Sequence, residues 1–213
     1  MRRSSFDISI VTALIVTNGL VFLMELSGGG DRLITLFALW PWLPISQFGL
    51  GEAMPHFQVW QLVTYSFLHG GWAHILLNMY ALWLFGMRME YVWGPKVFAV
   101  YYFVCVIGAG LVQLFVSSYS AQQGGIYPTL GASGGVFGIL LAFGLTFPEE
   151  RLMLIFPPVI LKAKWLVIIY GGIELFAGVT GTAEGVAHFA HLGGMLFGYL
   201  LLRYWRKHPP RFR

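Results

Sequence analysis

The sequence predicts an all-α membrane protein, a six-transmembrane-helix bundle with both termini cytoplasmic, and three observations carry that prediction. Of its 213 residues 57% are hydrophobic and only 10% charged, against roughly 45–50% apolar and 25% charged in soluble domains. Six apolar stretches, near 8–25, 72–88, 97–117, 133–147, 165–179 and 185–204, suit the crossing of a ~30 Å hydrocarbon core by about 20 helical residues. With six spans, 12 of the 13 Lys and Arg residues fall on one side and Arg32 alone on the other. The positive-inside rule makes the basic side cytoplasmic.

The first stretch opens on Arg2-Arg3, but Glu25-Leu26-Ser27 is not a small-residue cleavage site, so it reads as a retained helix rather than a signal peptide. Anchoring charge also explains the arginine pair more simply than a twin-arginine signal does. The loop at 26–71 carries Leu36, Phe37, Trp40, Trp42, Phe48, Phe57 and Trp60 with little charge, a composition that suits the membrane interface. Within it, Gly28-Gly29-Gly30-Asp31 matches the GxGD of intramembrane aspartyl proteases. No second transmembrane Asp is there to share a proton, so it reads as a turn. No Pro/Ser-rich linker or charge run divides the chain, so residues 1–213 form one domain. The formal charge of +4 sits at helix ends and the C-terminus, which argues against a nucleic-acid partner. The single Cys105 reads as a small buried hydrophobe.

Polar residues inside spans are costly and by default point to function, which singles out His74, Asn78, Ser133, Glu174, His188 and His191. The fourth span is short: Pro148 stops it 15 residues after Ser133, about 22 Å of helix against a ~30 Å core. Ser133 therefore lies below the outer surface. Measured from the basic residues that close their helices, His74, Asn78 and His191 fall at about 21, 15 and 18 Å. The glycine-rich segment 124–131 does not continue a helix, and irregular backbone at depth requires protein or water around it, so a water-filled cavity is expected above Ser133. Gly134, Gly138 and Ala142 recur every four residues, as do Gly194 and Gly198, a spacing that lets the fourth and sixth spans touch. At 100° per residue His191 lies about 20° from Gly198 and His188 about 80° away, so His191 should face the serine. A histidine there can take the Ser133 hydroxyl proton as general base and return it to a leaving amine. The Ser133 N–H at a helix start, with His74 and Asn78, can hold an oxyanion.

GASG at 131–134, HILLN at 74–78 and AHLGGMLFG at 190–198 resemble the three signatures of the rhomboid family, and the helix count and first-loop length agree. The resemblance implies a rhomboid-like bundle and an intramembrane serine endopeptidase with Ser133 as nucleophile, His191 as base, and His74 and Asn78 as oxyanion contributors. Two departures stand out: Trp60-Gln61 where the family commonly has Trp-Arg, and Phe137 where one branch has a Tyr against the histidine. Rhomboids use a Ser-His dyad, and no obvious acid completes a triad here. Glu174, mid-span, is read as a structural hydrogen-bonder in preference to a residue that tunes the site, Glu184 as part of the outer loop, Glu90 as an organiser of loop packing, His69 as support for the first loop and His188 as cavity lining.

Competing readings are weaker. His69, His74, His188 and His191 could converge on a metal, but there is no HExxH, and neither metal nor cofactor is expected. A transporter would show inverted repeats. A non-catalytic rhomboid-like protein that binds membrane clients typically lacks the Ser or the His, both present here. The expected partners are single-span membrane-protein substrates in the lipid bilayer, admitted by motion of the fifth helix or of residues 179–185. The expected location is a bacterial inner membrane.

Overall fold

A computed structural model describes residues 9–42, 55–154, 158–182 and 187–210. Helix α1 (Ile10–Met24) runs through a π-helical turn, Glu25–Gly29, into α2 (Gly30–Phe37). Gly28 at φ +92° bends the path there, a conformation that costs glycine little because it has no Cβ. The Gly-rich motif is thus a kink between helices, with Asp31 in the first turn of α2 rather than in a loop. A single turn, α3 (Gln61–Thr64), precedes α4 (Trp72–Ala81), which passes through a second π-turn, Leu82–Gly86, into α5 (Met87–Trp93). Next come α6 (Pro95–Ala121), α7 (Ser133–Thr146), α8 (Ala163–Thr180) and α9 (His188–Lys207). A small antiparallel hairpin, β1 (Arg151–Met153) and β2 (Ile160–Lys162), links α7 to α8. The hairpin was not foreseen, because three-residue strands carry too short a pattern to register in sequence.

The chain is mostly helical. Among the described residues, three helices are long and apolar enough to cross a membrane on those grounds alone: Ile10–Phe37, Pro95–Ala121 and Ala163–Thr180. Helix α7 is apolar but has 14 residues, about 21 Å, while the α4–α5 stretch carries His74, Asn78, Arg88 and Glu90 and α9 ends in Arg206 and Lys207.

Helix α6 is the axis of the bundle, burying Tyr101, Tyr102, Cys105, Val106 and Ala109 completely. Around it the small-residue stripes do what the spacing predicts, with one difference. A Cβ on Gly194 would lie 1.9 Å from the Gly134 carbonyl oxygen, so α7 and α9 meet backbone to backbone. Gly198, by contrast, faces α6: its Cβ would meet the Tyr101 hydroxyl at 2.4 Å. The stripe on α9 thus serves two neighbours, since a helix wedged between two others needs small residues toward both. Cys105 is buried as expected, and a Cβ on Gly138 would strike its Sγ at 2.4 Å. Tyr101 donates to the Gly138 carbonyl (2.9 Å) and Tyr65 to that of Val106 (2.8 Å), giving both buried hydroxyls a partner.

The helix ends gather at one pole. The Arg88 guanidinium sits 5.0 Å over the Phe147 ring and Trp93 meets Trp205 at 6.1 Å, so α5, α7 and α9 finish side by side. The start of α1 is at the same pole, held by the buried Glu90. This carboxylate accepts from Ile10 N (3.0 Å), Val11 N (2.9 Å) and the Ser9 hydroxyl (2.7 Å). First-turn amides have no intrahelical acceptor and carry the positive end of the helix dipole, so a carboxylate from α5 satisfies both needs. Glu90 therefore organises a helix start rather than loop packing. Beside the hairpin, exposed Glu149 is bridged by Lys162 (2.7 Å) and Lys164, and these two amines hold its carboxyl down to about 2. Replacing Glu90 with Ala leaves two α1 amides without an acceptor. The variant should lose about 2–4 kcal/mol of stability, seen as a lower Tm in detergent, and Gln, which restores an acceptor oxygen, should recover part of it.

Candidate active site

Ser133 is the first residue of α7, and the chain reaches it under tight control. Leu39 and Thr129 exchange both backbone hydrogen bonds (2.9 Å each), and the Gly131 N–H donates to the Tyr65 carbonyl (2.9 Å). Gly131 then takes φ +123°, and a Cβ there would lie 2.6 Å from His74 Nε2. Glycine is required twice over, by the backbone angle and by the imidazole against it. At the top of α7 the Ser133 hydroxyl meets His191 of α9, with Oγ and Nε2 2.7 Å apart. The His191 ring lies flat on Phe137, centroids 4.2 Å apart and planes 5° from parallel. Phe137 thus fixes the ring by stacking, without the hydrogen bond a Tyr could add. Ser133 is half-buried and His191 is 8% exposed, so solvent access is narrow.

His74 of α4 stands on the other side of the serine. Its Nδ1 accepts from the Gly70 N–H (3.3 Å), which places the ring proton on Nε2, the nitrogen facing Gly131 and Ser133. His74 is therefore set as a donor toward the space above the serine. Asn78, one turn on and buried, donates from Nδ2 to the His74 carbonyl (2.9 Å). That bond uses one of its two amide hydrogens. The amides of Ser133, Gly134 and Gly135 occupy the first turn of α7, where no intrahelical acceptor reaches them.

The structure gives two residues definite partners. Glu174 of α8, for which a structural role was preferred over one that tunes the site, has its Oε2 2.6 Å from His188 Nδ1 and 2.9 Å from His191 Nδ1. His188, expected to line a cavity, binds that carboxylate and also donates from Nε2 to the Thr182 carbonyl (3.1 Å). The signal was present in the sequence as an acid in mid-span and two histidines three residues apart on a helix. What it lacked was the rotation of α8. Glu174, His188 and His191 offer their ligand atoms within 4.8 Å of one another. Their 2.6 and 2.9 Å separations are hydrogen-bond spacings, shorter than the roughly 3.3 Å between neighbouring ligands around a tetrahedral zinc at ~2.0 Å. Glu184 lies outside the described residues.

Comparison with known proteins gives the family. The rhomboid domain family matches residues 56–208. The chain belongs to the rhomboid family. Similar relatives of this rhomboid include presenilin-associated rhomboid-like protein A, mitochondrial, of Danio rerio, 33% identical over 70% of this chain and 39% of its own length. The Homo sapiens presenilin-associated rhomboid-like protein, mitochondrial, is 32% identical over 68% of this chain and 39% of its own. Rhomboid protein 1, mitochondrial, of Saccharomyces cerevisiae is 31% identical over 65% of this chain and 40% of its own. The rhomboid described here spans about two fifths of the length of these relatives. Their mitochondrial setting overturns the expectation of a bacterial inner membrane. The physical reason is that charge asymmetry reports which side of a bilayer a loop occupies, not which bilayer it is.

The rhomboid's first loop is tied down by residues that include its own departure from the family pattern. Gln61, fully buried in place of the common Arg, accepts at Oε1 from Gln58 N (3.1 Å) and Trp40 N (3.3 Å) and donates from Nε2 to the Leu36 carbonyl (3.4 Å). Trp60 Nε1 donates to the same carbonyl (3.0 Å), and the Trp42 N–H donates to the Ser118 hydroxyl of α6 (2.8 Å). Phe48 lies outside the described residues. His69 supports the loop's return: its N–H donates to the Glu25 carboxylate (3.2 Å) and its ring meets His74 edge to face at 4.9 Å.

Among the described residues neither buried His69 ring nitrogen has a hydrogen-bond partner, and burial, reinforced by His74, pushes its pKa down to about 4. The folded state then resists a proton that the unfolded chain accepts near pH 6.5. Stability contributed by neutral His69 is complete above pH 6.5 and falls as pH drops toward 4, by at most about 3 kcal/mol. Thermal unfolding across that window should show the fall, and His69→Gln should flatten it.

Proposed function

We propose that this rhomboid is an intramembrane serine endopeptidase that cleaves transmembrane-segment substrates through Ser133 and His191. The observation that carries the proposal is the 2.7 Å approach of Ser133 Oγ to His191 Nε2 from two different helices. In this reading the Ser133 oxygen attacks the scissile carbonyl while His191 Nε2 takes its proton. The oxygen of the tetrahedral intermediate is met by the Ser133 N–H at the positive end of α7, by His74 Nε2–H and by the free amide hydrogen of Asn78. His191 then gives its proton to the departing amine, and water, activated by the same imidazole, releases the acyl group. No metal or cofactor enters this scheme.

The same proposal includes six membrane spans, built from α1, α4–α5, α6, α7, α8 and α9, with both termini on the positively charged side. The shared pole of α1, α5, α7 and α9 supports it, because Arg88 and Arg206 belong to that end. Substrates are single-span proteins of the same bilayer whose helix unwinds near the serine, since extended backbone is needed to present a carbonyl to it. Entry past α8 or residues 179–182 suits the narrow access to Ser133.

The test is cleavage of a labelled transmembrane substrate by purified protein in detergent or liposomes. Ser133→Ala and His191→Ala should abolish cleavage, and undiminished turnover by either sinks the proposal. Asn78→Ala should lower kcat about 100- to 1,000-fold with little change in KM, the usual cost of removing one oxyanion donor. Gly131→Ala should also lose activity, because its methyl displaces the His74 ring. If that variant folded and cleaved at the wild-type rate, His74 would have no part in the reaction.

A further inference from the structure

The proposed dyad leaves one group unexplained: a carboxylate buried among its residues. Glu174 Oε2 lies 2.9 Å from His191 Nδ1, the ring nitrogen opposite the one that meets Ser133. The approach is close but oblique, and Nδ1 has no well-aligned hydrogen-bond partner. The same oxygen takes a short, aligned bond from His188 Nδ1 at 2.6 Å, while His188 Nε2 faces the Thr182 carbonyl at 3.1 Å. Both His188 nitrogens therefore point at acceptors, an arrangement satisfied when the ring donates at each. A buried carboxylate is tolerable only with polar partners around it, and His188 supplies the nearest one.

We propose that Glu174 is a positioning residue for His191, held in place by His188, so that Ser133, His191, Glu174 and His188 form one relay anchored at the end of α8. This inference rests on the dyad reading and extends it. With Nδ1–H turned toward the carboxylate, the His191 proton is confined to Nδ1 and Nε2 is left as the acceptor that Ser133 requires. As the Ser133 proton moves to Nε2, His191 becomes a cation and the ion pair with Glu174 strengthens. The carboxylate remains ionised throughout and takes no proton. His188 acts one step further out: its bonds to Oε2 and to Thr182 fix where the carboxylate sits. Of the remaining titratable groups, His74 faces the cluster from α4, with His69 behind it, and neither reaches Nδ1 of His191. Phe137 covers one ring face but offers nothing to a ring nitrogen.

The experiment compares wild type with E174Q, H188Q and E174Q/H188Q, using purified full-length protein and the same transmembrane substrate. Expected for E174Q is a fall in kcat of about 10- to 100-fold with KM within twofold and a matching slowdown in fluorophosphonate labelling of Ser133. The loss stays below the roughly 10,000-fold seen where a carboxylate is the main support of an imidazole, because Phe137 also holds the ring. H188Q should lower kcat several-fold in the wild-type background and have no further effect on E174Q, since His188 works only through Glu174. Wild-type kcat in E174Q, or additive losses in the double variant, would overturn the inference. So would a loss that follows a lower Tm and a raised KM. If E174Q does not fold, E174D, which keeps the charge but withdraws it by one methylene, decides by a several-fold loss in kcat against none. Inactive S133A and H191A beside a fully active E174Q would sink this inference alone, whereas active S133A would sink the dyad as well.

Discussion

The structure depends on how closely α9 is allowed to approach α7. A side chain on Gly194 would collide with the Gly134 carbonyl, so only a glycine lets the two backbones touch at that level. One residue before Gly134 is Ser133, and one turn before Gly194 is His191. A hydrogen bond of 2.7 Å between side chains this short leaves no room for helices spaced by leucines. Because lipid offers little hydrophobic drive to helix association, such contacts rely on packing and on bonds such as Tyr101 to the Gly138 carbonyl. The Ser133–His191 distance is thus a by-product of small residues lying below it.

Buried carboxylates are the second organising feature, and two of them play the same physical role in different places. Glu90 meets the unsatisfied amides at the start of α1, and Glu174 meets two imidazoles between α8 and α9. Glu90 joins helices 80 residues apart and Glu174 joins two consecutive ones, and each is tolerated because polar partners converge on it. An acid inside an apolar bundle is costly when alone and specific when paired, since few arrangements satisfy its oxygens. Glu90 reaches backbone amides at a helix start, whereas Glu174 sits beside the imidazole that meets Ser133.

The family resemblance rests on motifs that govern local geometry, and the departures from it are absorbed locally. Gln61 occupies the place of an arginine and still closes three hydrogen bonds in the first loop. Phe137 gives up a hydroxyl yet keeps the flat stack on His191. A buried amide can replace a guanidinium where the partners are neutral backbone groups, and a phenyl ring can replace a phenol where the face does the work.

Hydrophobic run length, the polar residues within those runs and the Gly spacings were legible in the sequence, because lipid imposes a simple rule on each: cross apolar, bury the polar, keep contacts small. Those rules located α1 and α6 to α9 to within a few residues and set Ser133 opposite His191 rather than His188, but left α2 inside the first loop. They could not supply the rotation of α8, so the choice between a structural and a site-tuning Glu174 stayed open and His188 read as lining. Nor could they show that Gly198 serves α6 rather than α7, that Gly28 bends a helix, or that Glu90 caps one. Those outcomes turn on which faces of separate helices meet, and a face is fixed only once every neighbour is in place.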